Sequence, residues 1–169
     1  MPWFREVDFH GPVQVTAVKR DGVWHMIEYN VRLGITTGPA LWRMLENPLE
    51  TILSVGHDKA PKIEFMPGKT YACNLTLAGW GYPYTKIEGP SLTVQVNGEP
   101  TCDIWWNEVV ADRKGRRLMS GHRVADIIAV DETMPKAIDR AYETIRMIYC
   151  LSSYYRMDIG QSMWPPGEE

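Results

Sequence analysis

Alternating apolar and polar residues run from Gly11 to Arg20 and meet Asp21-Gly22, which leaves one local solution, a β-hairpin. Asp-Gly supplies the two left-handed positions of a type I′ turn, whose twist matches the strands it joins. Val13, Val15 and Ala17 then share one face, and the return strand runs from Val23 to Arg32. A period of two puts Trp24, Met26, Glu28, Asn30 and Arg32 on one face, with Val23, His25, Ile27, Tyr29 and Val31 on the other.

Beyond a turn at Gly34 to Pro39, Leu41, Leu45, Leu49 and Ile52 recur at helical spacing. Asn47-Pro48 falls inside that pattern and predicts one kinked helix or two short ones. Residues 56–69 carry Gly, Asp, Pro and Lys with little periodicity and read as a connection. Strands are predicted over Thr70 to Ala78, Ser91 to Val96, Thr101 to Trp106 and Arg123 to Val130, with a turn at Asn97-Gly98-Glu99-Pro100. Thr133 is placed to cap a helix whose apolar stripe is Met134, Ala137, Ile138, Ala141, Tyr142, Ile145 and Ile148, ending near Cys150. The Pro-rich, acidic tail after Ile159 is expected to fray.

With 169 residues the chain can build a core without staples. A net charge of -3 argues against a phosphate-backbone binder. Its basic run, Arg113-Lys114-Gly115-Arg116-Arg117, reads as a turn between strands. Cys73, Cys102 and Cys150 form no close pair, and no apolar leader precedes Met-Pro-Trp-Phe-Arg, so a reduced cytoplasmic protein with no membrane segment is expected. His10, His25, His57 and His122 show no zinc spacing.

The segment Ile27-Glu28-Tyr29-Asn30-Val31-Arg32-Leu33-Gly34 carries the sharpest chemistry. A carboxylate and an amide oxygen two residues apart on a strand face can ligate one hard cation, and an Arg two further on can meet a phosphate through two hydrogen bonds. The same three residues also suit an ordinary solvent-facing strand. Trp105-Trp106 offer rings to stack a base or a ribose, or to fill core and rim. Arg123 is a candidate for an anionic ligand. Tyr155, Arg156 and Asp158 either join a site or lock the tail to the sheet through an internal ion pair.

These stretches resemble ATP-grasp ligases of the phosphoribosylamine-glycine ligase type. Ile27 to Gly34 is similar to that family's E-F-N-x-R-F-G-D-P-E element. Ala78-Gly79-Trp80-Gly81-Tyr82-Pro83 resembles A-x-x-G-Y-P, and Ser120-Gly121-His122-Arg123-Val124 with Ala129-Val130 resembles S-G-G-R-V-L-x-V-x-A. Ala141-Tyr142 and Tyr155-Arg156-Met157-Asp158-Ile159-Gly160 resemble the family's A-Y and Y-R-x-D-I-G. The four occur in the family's order over nearly the whole chain.

The resemblance implies an α+β fold: residues 1–57 as a remnant of the ATP-grasp catalytic lobe, and residues 58–169 as the small, mostly antiparallel carboxy-terminal domain packed by one helix. On that mapping Glu28 and Asn30 match magnesium ligands and Arg32 matches a residue facing the transferred phosphate. Arg123 and Trp105, read from their own chemistry and not from the resemblance, are the other candidate ligand residues. Two departures point away from turnover by this chain alone. Ile35-Thr36-Thr37 replaces the family's D-P-E, and the lid that closes over ATP has no counterpart in these residues, while acyl-phosphate chemistry needs both walls of the site. The expected function is therefore a non-catalytic protein that sequesters or senses a nucleotide-like or phosphoribosyl-like molecule, with magnesium at Glu28 and Asn30. One alternative is a subunit of a split ligase, using ATP once a partner completes the site and leaving an apolar hairpin face for a partner or second copy to cover. The other is a protein-interaction module with no small ligand.

Overall fold

The computed structural model describes residues 2–84 and 91–161; the tail from residue 162 onward, expected to fray, lies outside them. The chain forms two units, residues 1–66 and 67–169.

In the first unit a short helix α1 (Pro2–Glu6) precedes the hairpin of β1 (Gln14–Arg20) and β2 (Val23–Asn30). Asp21 and Gly22 adopt φ values of 50° and 80°, the left-handed pair that the Asp-Gly signal predicts. Two helices follow, α2 (Thr37–Met44) and α3 (Pro48–Gly56), split where proline removes an amide donor. Leu45, between them, bridges to Phe65 and is the unit's one buried large apolar side chain among the described residues.

The hairpin corrects the expected faces. Ala17 pairs with Met26 but Thr16 pairs with Glu28, so Ile27 is an extra, bulged residue. A bulge breaks the period of two, and every side chain beyond it changes face. Trp24 and Met26 therefore lie across from Lys19 and Ala17, whereas Glu28 and Asn30 lie across from Thr16 and Gln14. The strand stops at Asn30, and Arg32 falls in a bend rather than on the strand.

The second unit contains two four-stranded antiparallel sheets. One has the order β10 (Ser153–Tyr154), β3 (Tyr71–Gly79), β8 (Arg123–Asp131), β5 (Asp103–Trp106). The other runs β6 (Val109–Ala111), β7 (Arg117–Met119), β4 (Leu92–Val96), β9 (Ile148–Cys150). Helix α4 (Met134–Arg146) buries Ala137, Ala141, Thr144 and Ile145. These meet Cys73, Leu75 and Leu77 of β3, Ala125, Ile127 and Ala129 of β8, and Val94 and Ile148 of the second sheet in one core. The fold is thus α+β, as expected. The basic run Arg113 to Arg117 does form the turn into β7, with Gly115 at φ 75° and Asp112 bonding the amides of Lys114 and Arg116.

Helix α4 ends earlier than its apolar stripe suggests. Ile148 and Cys150 are buried while Tyr149 is exposed, a period of two, and they pair with Val96 and Val94 as an added strand. Thr133 stands before the helix, as expected, without a side-chain capping bond. No helix among the described residues is long and apolar enough to cross a membrane.

Burial pushes the Cys73 thiol up to about 11, with a smaller contribution from Cys102. At pH 8 only about one molecule in a thousand then carries the thiolate that reacts. A thiol-reactive dye is expected to leave Cys73 unlabelled until denaturant is added; labelling in the native protein at the rate of a free thiol contradicts this burial.

Candidate functional site

A second bulge builds the main site. Leu77 pairs with Ala125 but Ala78 pairs with Arg123, which leaves Val124 as the extra residue. Val124 and Ala125 both enter the core, and Arg123 passes to the opposite face of the sheet. That face also carries Thr76 and Asp126, which pair with each other, and Trp105, which pairs with Asp126. Two of the residues singled out in the sequence, Arg123 and Trp105, are thereby brought to one face of the four-stranded sheet. Trp105 keeps 41% of its surface exposed, enough to present an open ring.

The Arg123 side chain is held in place. One terminal nitrogen bonds the Tyr82 hydroxyl, and the guanidinium lies 5.3 Å from the Tyr82 ring centre. Tyr82 follows Gly81, whose φ of 88° favours glycine, and its carbonyl accepts a 2.8 Å bond from the Tyr154 hydroxyl. The Arg123 amide donates to the Glu108 carboxylate at 2.8 Å. The A-x-x-G-Y-P-like and S-G-G-R-V-like stretches, 41 residues apart at this contact, therefore meet in space. Nε of Arg123 is buried without a hydrogen-bond partner among the described residues. A guanidinium with an unused donor and an aromatic backing is suited to a phosphate or a carboxylate.

Beside it, Asp126 is 1% exposed within the apolar run Val124 to Val130. It accepts from Thr76 Oγ1 at 2.5 Å and Asn107 Nδ2 at 2.8 Å, tying β3 and the end of β5 to β8. Neither Asp126 nor Asn107 belongs to a recognisable motif; a lone acid inside an apolar strand is the one signal that the sequence offers for them. Asp126→Ala would leave both donors unpaired, and a loss of about 1–3 kcal/mol in denaturant stability is expected.

Glu28, Asn30 and Arg32 stand in the first unit. Asn30 Nδ2 donates to Glu28 Oε1 at 2.9 Å, so the two side chains do meet. In this arrangement the amide nitrogen, not its oxygen, faces the carboxylate; joint cation ligation requires the amide to turn over. Arg32 does not join them: its Nη1 makes a 3.4 Å contact to the Leu33 carbonyl. Among the described residues no group of three or more His, Cys, Asp or Glu converges on a metal position. As placed, the pair offers a cation the Glu28 carboxylate but not the Asn30 amide oxygen.

The tail forms the ion pair foreseen for it. Arg156 meets Asp158 with both ends, at 2.9 and 2.5 Å, and holds its carboxyl below the usual range. The anchor is the helix rather than the expected sheet: the Tyr142 hydroxyl donates to the Arg156 carbonyl and accepts from the Ile159 amide, both at 3.0 Å. Tyr142, Arg146, Tyr155 and Met157 line a groove of about 430 Å³ there.

Residues 72–162 match the family model described as phosphoribosylglycinamide synthetase, C domain. The chain is 29% identical to a phosphoribosylamine–glycine ligase from Corynebacterium ammoniagenes, over 81% of its own length and 32% of the relative's. It is 25% identical to a bifunctional purine biosynthetic protein from Schizosaccharomyces pombe, over 83% of this chain and 18% of that one. The crystal structure of the Thermotoga maritima phosphoribosylamine–glycine ligase superposes on 86% of the chain with a TM-score of 0.71 at 24% identity, using 36% of that structure, and so shares its fold. The chain thus spans about a third of the length of the ligases it matches.

Proposed function

Since the chain belongs to the phosphoribosylglycinamide synthetase C-domain family, we propose that it grips a phosphoribosyl-like or nucleotide-like molecule and does not carry out ligation by itself. The observation behind this reading is the Arg123 guanidinium, braced by Tyr82, with a buried donor unused and the open Trp105 ring on the same sheet face. A ribose phosphate needs those two elements: a planar cation for the phosphate and a ring for the sugar or base. On this reading the chain belongs to purine biosynthesis, works in the cytoplasm and either sequesters or senses its ligand.

In the first unit, Glu28 with a turned Asn30 would hold a magnesium ion, which when bound would neutralise phosphate charge there. No nucleic acid and no membrane enters this account.

A second reading has its own support in the first unit. Val15, Val18, Val23, Trp24, Met26 and Ile27 are each about half exposed or more on the hairpin. A two-stranded hairpin with so little buried surface is marginal alone. Polypeptide beyond these 169 residues, or a second copy, would cover it, and an ATP-grasp ligase site would then be completed.

Calorimetric titration with ribose 5-phosphate, AMP and Mg-ATP tests the first reading; saturable one-to-one heat with one of them is expected, and no heat with any overturns it. Under the same conditions the chain alone is expected to release no phosphate from ATP. The second reading stands on co-purification of a partner that adds ATP-dependent amide formation. Glu28→Ala is expected to abolish magnesium binding to the first unit, read by calorimetric titration with magnesium chloride; unchanged binding removes Glu28 as a ligand. If Glu28→Ala and Arg123→Ala both leave function untouched, the chain is an interaction module.

A further inference from the structure

Two carboxylates flank the ring of His10: Nε2 is hydrogen-bonded to Asp8 Oδ1, and Nδ1 lies at ion-pair distance from Asp58 Oδ1, each at 3.0 Å. Neutral imidazole leaves one ring nitrogen with a lone pair, which at 3.0 Å would face a carboxylate oxygen that can only accept, so the doubly protonated imidazolium is the form that suits both contacts. The placing of the acids sharpens the point. Asp8 follows α1 and Asp58 follows α3, with φ values of 50° and 57°, the left-handed conformation common just past a helix end. The amides of these two residues bond back to the Arg5 and Val55 carbonyls, so each carboxylate stands at the negative end of a helix. Two anions so placed repel each other weakly in solvent, and a cation between them relieves that repulsion.

We propose that His10 is a pH-operated clasp, closed as the imidazolium across the ends of α1 and α3 and opened by loss of one ring proton. The charged groups acting on the ring are Asp8 and Asp58, and together they raise its pKa above the ordinary 6.5, the hydrogen bond to Asp8 most. A raised pKa sets the sign. The clasp is fully made below about pH 6.5 and is lost as pH climbs through the higher value of the folded protein. What it secures is residues 2–10, where Phe4 packs on Trp3 and Phe9 at 5.0 and 5.4 Å and Phe9 donates its amide to the Phe4 carbonyl. Opening the clasp would therefore loosen the amino-terminal segment on a mild rise in pH, with the remainder of the unit left in place.

The test is a proton NMR titration of the intact chain. His10 is expected to titrate above 6.5, and in Asp58→Asn its midpoint is expected to move down toward 6.5. Protection factors of the Val7 and Phe9 amides, corrected for intrinsic exchange, are expected to fall several-fold across that titration. In His10→Gln they are expected to be low at every pH. A midpoint at or below 6.5, or protection that stays level through the titration in the unmodified chain, overturns the proposal.

Discussion

Ile127→Ala is expected to lower the stability of the second unit by about 2–5 kcal/mol, read as a fall in the denaturant midpoint at unchanged slope. Ile127 has no exposed surface and lies in β8, an inner strand of its sheet. Its register partners are Leu75 and Ile104, and α4 contributes Ala141 and Ile145 to the same cluster. A cavity there has walls fixed by two hydrogen-bonded strands and a helix, so it collapses poorly. A loss under about 1 kcal/mol, within the range of surface substitutions, would mean that β8 is not the centre of the core.

Arg123→Ala is expected to weaken binding of a phosphorylated ligand by about ten- to a hundredfold, since hydrogen bonds to a charged group contribute about 1.5–3 kcal/mol and each tenfold corresponds to about 1.4 kcal/mol. The fold should tolerate the change, because the lost contacts are those to Tyr82 at the rim of the sheet. Tyr82→Phe removes the hydroxyl bond and keeps the ring behind the guanidinium, so a smaller loss is expected. Arg123→Lys should not restore full affinity, because an ammonium lacks the planar fork. Unaltered affinity in Arg123→Ala, with native stability, would remove Arg123 from the binding site.

The parts of the fold that sequence displayed were those governed by short-range chemistry. Asp21-Gly22 must take left-handed φ values, and does. Asn47-Pro48 must break a helix, and Arg113 to Arg117 must turn. Faces and ends were harder because they depend on partners. Nothing near Ile27 marks it as the bulged residue; only pairing with Thr16 and Ala17 reveals that Glu28 and Asn30 have changed sides. Ile148 satisfies both the helical stripe and the alternation of β9, and the vacant edge of β4 decides in favour of the strand. The three-residue strands β6 and β7 do not alternate in burial and so carry no period to read.

Site residues divide along the same line. Arg123 and Trp105 were visible as types suited to an anion and a sugar ring, but their common face follows from the bulge at Val124. Tyr82 was quoted as part of a motif without a role, because its partner is remote in sequence. Asp126 went unremarked, although a carboxylate in an apolar strand requires donors, which Thr76 and Asn107 provide. Arg32 followed from a strand continued two residues too far, past the point where β2 ends.

The central claim is that this sheet face receives a phosphorylated ligand at Arg123. Amide and side-chain chemical-shift mapping of the 169-residue chain with ribose 5-phosphate tests it most directly. The account predicts saturable shifts at Tyr82, Arg123, Trp105 and Tyr154, with Cys73 and Leu75 on the core side unmoved. Saturable shifts confined to other residues, or none at millimolar ligand, would contradict it.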